Sequence, residues 1–270
     1  MLSPLILGVV LLSNASALEA DINSVTDAVQ KTLLLNQLSQ KIILPYIILA
    51  AISVGVAALV YFSALPEIKN EEEKPAAGSA VKTSVFQYPQ LVLGIVCLFL
   101  YVGVEVMAGD AIGAYGKSMG LPLDSTRYFT SFTLISMLAG YIVGIVAIPR
   151  WLSQQAALTG SAVLGITLSI FVFFTHGYTA IAGIALMGLA NALMWPAIWP
   201  LALKNLGRFT EIAAALLIMG IAGGAILPLL YGFMKGNPFN FSNQLSFLVC
   251  MLPSYGYILY YAMNGSRVRP

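Results

Sequence analysis

The chain has 270 residues, of which 59% are hydrophobic and 9% charged, and a mean hydropathy of +0.87. A soluble globular domain carries about 25% charged residues, so a soluble fold is excluded. The net charge of +2 comes without a basic cluster, which leaves no electrostatic footprint for nucleic acid; the expected class is an all-α polytopic protein whose first partner is the lipid bilayer.

Residues 2–12 are apolar but fall short of the roughly 20 that a spanning helix needs. They read as a span whose beginning is lost. A signal-peptide core ending at Asn14-Ala15-Ser16-Ala17 is the other reading, and it lacks the positively charged n-region. Over residues 14–41, Leu18, Ile22, Val25, Val29 and Leu33 recur at spacings of three to four among polar residues. That periodicity predicts an amphipathic helix on the membrane or over its outer mouth. Seven runs have spanning length: 42–62, 89–108, 129–148, 156–175, 178–201, 212–233 and 245–263.

Residues 66–87, with Glu71-Glu72-Glu73 and Lys74-Pro75-Ala76-Ala77-Gly78-Ser79, have the composition of a solvated linker. They divide a partial first unit, 1–65, from a six-helix unit, 88–270. With that linker in the cytoplasm, alternate loops place eight Lys and Arg inside and five outside. The cytoplasmic set is Lys69, Lys74, Lys82, Arg150, Lys204, Arg208, Arg267 and Arg269. The bias follows the positive-inside rule and puts the C-terminus in the cytoplasm.

Enzymatic signatures do not hold up. Gly116-Lys117-Ser118-Met119-Gly120 fits G-x-S-x-G, but that nucleophile elbow needs a strand before it and a helix after it. Ala111 stands where a P-loop would need its first glycine. With one histidine, His176, no His-rich metal site is expected. Cys97 and Cys250 sit in apolar runs and read as small core hydrophobes. No enzyme, metal or cofactor is predicted.

Glu105 is the sole charge of the 89–108 span. A charged residue near the centre of a membrane helix costs about 2.5–3.5 kcal/mol on insertion scales and normally faces protein or water. A carboxyl there suits reversible protonation or cation coupling, and Tyr101 lies one turn away. Asp110 reads as a helix-end residue. In the 178–201 span, Asn191, Trp195 and Trp199 share a stripe at spacing four, with Pro196 and Pro200 just behind the tryptophans. An amide and two indoles can bind a polar ring; the alternative is an interfacial Trp pair and a helix–helix bond from Asn191. The glycines of 140–144 and 220–224 predict close helix approach, with bending at the second. Thr130 and Thr133 are expected to line a polar cavity or to bond their own backbone.

The stretch Tyr101-Val102-Gly103-Val104-Glu105-Val106-Met107-Ala108-Gly109-Asp110 resembles the seventh span of the fucose–galactose–glucose:cation symporters, sugar permeases of the major facilitator superfamily. Asn191-Ala192-Leu193-Met194-Trp195-Pro196-Ala197-Ile198-Trp199-Pro200 is similar to their tenth. The 219–228 segment resembles the eleventh, and 45–68, more weakly, the sixth. The likeness is nearest to the glucose/galactose transporter branch. It implies a partial major facilitator fold: the last eight of twelve spans, the first cut, with four absent.

It further implies cation-coupled hexose symport by alternating access in a bacterial inner membrane, by a protein monomeric at full length. Protons are favoured over sodium, with Glu105 in coupling and Asn191, Trp195, Tyr101 and Trp199 on the sugar. The alternative is a non-transporting or partner-dependent half-transporter.

Overall fold

The computed structural model describes residues 22, 24, 25, 27–63, 84–126, 128–148 and 150–268. The expectations for residues 2–12, Leu18, 64–83, Arg127 and Arg269 fall outside the described residues. Among the described residues every regular element is helical: α1 (Ala28–Phe62), α2 (Pro89–Gly109), α3 (Ile112–Ser118), α4 (Leu123–Thr126), α5 (Phe129–Ala147), α6 (Gln154–Phe174), α7 (Gly177–Asn191), α8 (Met194–Leu203), α9 (Thr210–Met219), α10 (Gly223–Lys235) and α11 (Asn243–Tyr260).

Seven helical stretches are long and apolar enough to cross a bilayer. They coincide with the seven runs expected from the sequence. α2 and α6, at 21 residues each, reach about 30 Å at a rise of about 1.5 Å per residue, the thickness of the hydrocarbon core. Local chemistry sets the boundaries. Pro89 opens α2 at a position where its missing N–H is no loss. The Ser153 hydroxyl accepts the Ala156 N–H at 3.1 Å and starts α6. Ser242 does the same for Leu245 at 3.2 Å and starts α11.

One expectation changes. The amphipathic stretch and the first full span are not separate elements: α1 runs unbroken for 35 residues from an Asp27 N-cap, with Pro45 inside it. Its Ile43–Phe62 window buries nothing against the other described residues. Val29 and Leu33 of the expected apolar stripe are exposed, with no other described element packed over them.

The other six spans form one bundle around α2, which packs on α7, α8, α10 and α11 and also touches α5 and α9. Outside this axis α5 lies on α7, and α6 on α7 and α11. Lipid tails offer no hydrophobic drive between helices, so close van der Waals contact has to hold them. Glycine provides it where the sequence expected it and at further places. A Cβ on Gly223 would collide with the Phe99 carbonyl of α2, and one on Gly188 with the Thr133 carbonyl of α5. The Gly220–Ala222 turn is 3-10 and divides α9 from α10.

Polar ties close both ends of the bundle. At one end the Gln90 amide donates to the Lys204 carbonyl at 3.3 Å, and the Tyr261 hydroxyl to the Gln90 carbonyl at 3.2 Å. The Gln155 amide there donates to the Ala262 carbonyl at 2.7 Å. At the other end the Asn243 amide donates to the Tyr115 carbonyl at 3.4 Å, while Tyr231 donates its hydroxyl to Asn243 Oδ1. Alternate ends of consecutive spans meet, as an up-and-down bundle requires. Asp110 caps the far end of α2; partial desolvation there lifts its carboxyl above the ordinary range although the residue is largely exposed, and burial pushes the Tyr115 phenol up to about 12.

Candidate functional site

Two helix interiors build the site. α2 supplies Tyr101, which is 1% exposed, and Glu105, which is half-buried one turn further along. One turn apart on α2, Tyr101 and Glu105 are near neighbours, and Tyr141 of α5 and Tyr255 of α11 lie within electrostatic reach of the Glu105 carboxyl. Asp110 stands apart at the exposed end of the same helix.

The second interior is a broken span. α7 ends at Asn191, two residues turn, and α8 starts at Met194. The prolines explain the break: Pro196 has no N–H for the Ala192 carbonyl, and Pro200 none for the Pro196 carbonyl. In lipid such carbonyls survive only where protein or a watery cavity meets them. Helical bonding resumes with the Ala197 N–H on the Leu193 carbonyl at 3.2 Å.

The break sets the aromatic groups against α2. The Tyr101 and Trp195 rings meet edge to face with centroids 6.3 Å apart, and Trp195 stacks on Trp199 at 5.8 Å and 11°. Trp199 therefore belongs to a three-ring ladder that starts beside Glu105. Both indoles remain partly exposed. Such faces can stack on the C–H side of a sugar ring.

Asn191 is 1% exposed. Its Oδ1 accepts the Tyr255 hydroxyl at 2.8 Å, while its Nδ2 is buried with no partner among the described residues. A buried donor left unmatched costs about 1–3 kcal/mol, so a native fold keeps few of them. Here the unmatched donor sits at the helix break, one turn from Trp195.

The sequence missed Tyr255 and Tyr141. A signal existed for the first: Ser246, Cys250 and Ser254 recur every four residues along α11, marking a face that is not for lipid, and Tyr255 adjoins it. Thr133 does something other than either expectation. It donates to the Ala108 carbonyl of α2 at 2.9 Å, tying α5 to the helix of Glu105. Ser118 lies in the last turn of α3 and donates to the Tyr115 carbonyl at 2.7 Å. Helices α2 and α3, with no strand among the described residues, lead into it, so the elbow geometry is not formed there. Among the described residues no three His, Cys, Asp or Glu gather as metal ligands, and Cys97 and Cys250 are buried and free.

A crystal structure of the major facilitator superfamily transporter FucP in an outward conformation aligns with 92% of this chain and 60% of that one, with a TM-score of 0.68 and 20% identity. The fold is thus that of part of a major facilitator transporter. The glucose/galactose transporter of Brucella abortus is 29% identical over 265 residues, which are 97% of this chain and 59% of the relative. An L-fucose-proton symporter of Haemophilus influenzae is 25% identical over 70% of this chain and 44% of its own.

The chain is thus similar to proteins named glucose/galactose transporter and L-fucose-proton symporter.

It is therefore a multi-pass membrane protein whose relatives are transporters rather than enzymes. It spans about three fifths of the length of the Brucella transporter. No family model matches the chain.

Proposed function

We propose that the chain forms the substrate-facing wall of a hexose:cation symporter of the bacterial inner membrane. In this reading the bundle 88–270 is a C-terminal half, 1–65 belongs to an N-terminal half, and 66–87 is the cytoplasmic linker, with the C-terminus inside. The observation that carries the reading is the grouping of Asn191 with its unmatched amide, the Tyr101–Trp195–Trp199 ladder and the lone carboxyl of Glu105. An amide donor and ring faces match a hexose, and a half-buried carboxyl beside them matches a coupling site for a proton, with sodium second. Alternating access then rocks the two halves about the sugar. The relatives named for glucose, galactose and fucose support a hexose, and glucose or galactose is our first choice.

The test is uptake of radiolabelled D-glucose and D-galactose into proteoliposomes holding the purified chain, driven by an imposed pH gradient or by a sodium gradient. Accumulation that a protonophore collapses supports proton symport; accumulation driven by the sodium arm alone moves the coupling to sodium. A second reading is favoured by the bare Ile43–Phe62 surface: a half-transporter that works with a partner. Saturable hexose binding without uptake by the chain alone would select it. Neither binding nor uptake would remove both readings.

A further inference from the structure

The site as described has a polarity that the residue types alone do not fix. A carboxamide can offer either a donor or an acceptor to a ligand. Asn191 has its choice made by another helix: Tyr255 donates to Oδ1 at 2.8 Å, which turns Nδ2, and only Nδ2, away from that bond and leaves it unmatched. Tyr255 is held firmly enough to enforce this. It is 0% exposed, and its ring fills a notch over Gly165 of α6, where a Cβ would stand 2.5 Å from Cε1 and 2.6 Å from Cδ1. Three helices thus take part in setting one amide: α6 supplies the gap, α11 the hydroxyl and α7 the carboxamide.

We infer that Tyr255 is a positioning residue that presents Asn191 as a hydrogen-bond donor, so that the hexose is recognised there through an acceptor oxygen, with Gly165 as the seat for the tyrosine ring. The inference rests on the proposed sugar site and adds the direction of one hydrogen bond to it. An acceptor-reading site has a distinctive chemical signature. Fluorine in place of a hydroxyl cannot donate but keeps some acceptor strength, whereas hydrogen does neither. At the sugar carbon facing Asn191, the deoxyfluoro analogue therefore retains binding that the deoxy analogue loses. A site that accepts from the sugar would lose both alike.

The experiment is equilibrium binding of D-glucose to the purified full chain, in competition with the deoxy and deoxyfluoro glucose series. For the wild type, one ring position is expected to show a deoxyfluoro analogue binding about tenfold better than its deoxy counterpart. Tyr255→Phe frees the carboxamide to turn; glucose affinity is expected to fall several-fold and that fluoro-to-deoxy ratio to fall towards one. Asn191→Asp keeps an acceptor for Tyr255 but removes the donor, and the ratio is expected to vanish there too. Gly165→Ala, which disturbs the ring without touching the amide, should lie between. Should Tyr255→Phe fail to fold, Asn191→Asp and Gly165→Ala decide the matter by the same ratio. Deoxyfluoro and deoxy analogues failing alike at every position in the wild type, or an unchanged ratio in Tyr255→Phe, overturns the inference. In either case an affinity loss in Asn191→Ala leaves the sugar site standing. Wild-type protein that binds no hexose overturns both.

Discussion

Glu105 and Asn191 are polar groups that a lipid-facing helix would not keep, and each leads to a different loss when replaced. Glu105→Gln preserves shape and polarity beside Tyr101 but removes the ionisable proton. It is expected to cut sugar accumulation against a gradient by more than tenfold while leaving sugar exchange across the membrane. Wild-type accumulation in a side-by-side uptake and counterflow assay would return Glu105 to helix packing. Asn191→Ala removes a donor that nothing else in the described protein uses. The apparent KM for sugar should rise about tenfold, equivalent to about 1.4 kcal/mol of binding; an unchanged KM would make Asn191 a strut between α7 and α11. The sequence exposed these two residues because each breaks the rule of its surroundings, an acid and an amide amid apolar residues. Tyr255 went unseen because an aromatic residue in an apolar run breaks no rule. Its role comes from a bond to a residue 64 positions away, and no local pattern encodes that.

Among elements, the spans were legible because the bilayer imposes a length of about 20 apolar residues and the chain meets it seven times. Their packing was legible only in part. The Gly220–Gly224 cluster announced close approach, and Gly223 does meet the α2 backbone at Phe99. The contact of Gly188 with Thr133, and the bond from Thr133 to Ala108, depend on which helices become neighbours. Gly223→Val would drive side-chain atoms into the Phe99 carbonyl and push α10 from the central helix. Overpacking of this kind costs about 1–3 kcal/mol, so a clear drop in the melting temperature of detergent-solubilised protein is expected. Gly232→Val on the same helix is the control, since nothing lies within 4 Å of a Cβ there. Equal melting of the two variants would show that the close approach contributes little. The continuity of α1 was hidden for a related reason: the polarity change near residue 41 and Pro45 look like a boundary in sequence, yet the helix runs through both.

For the whole molecule, the proposed orientation places the Lys204–Arg208 loop in the cytoplasm and α3 outside. Cys97 and Cys250 are 0% and 3% exposed and should stay silent to a membrane-impermeant maleimide. Lys117→Cys is then expected to label in intact cells, and Lys204→Cys only after permeabilisation; the reverse pattern would invert the topology. The bundle has one further mechanical property. The broken span is two short rods with different anchorages: α7 is seated mainly on α5 and α6, whereas α8 is seated on α2 and α6. Asn191 closes the first rod and Trp195 lies near the start of the second. A hexose that touches both would act as a splint across the joint, stiffening a hinge rather than merely filling a hole. Amide hydrogen exchange at Leu193, Met194, Trp195 and Ala197 should slow on adding sugar. The cargo would then lend the bundle the rigidity it needs to move as one body.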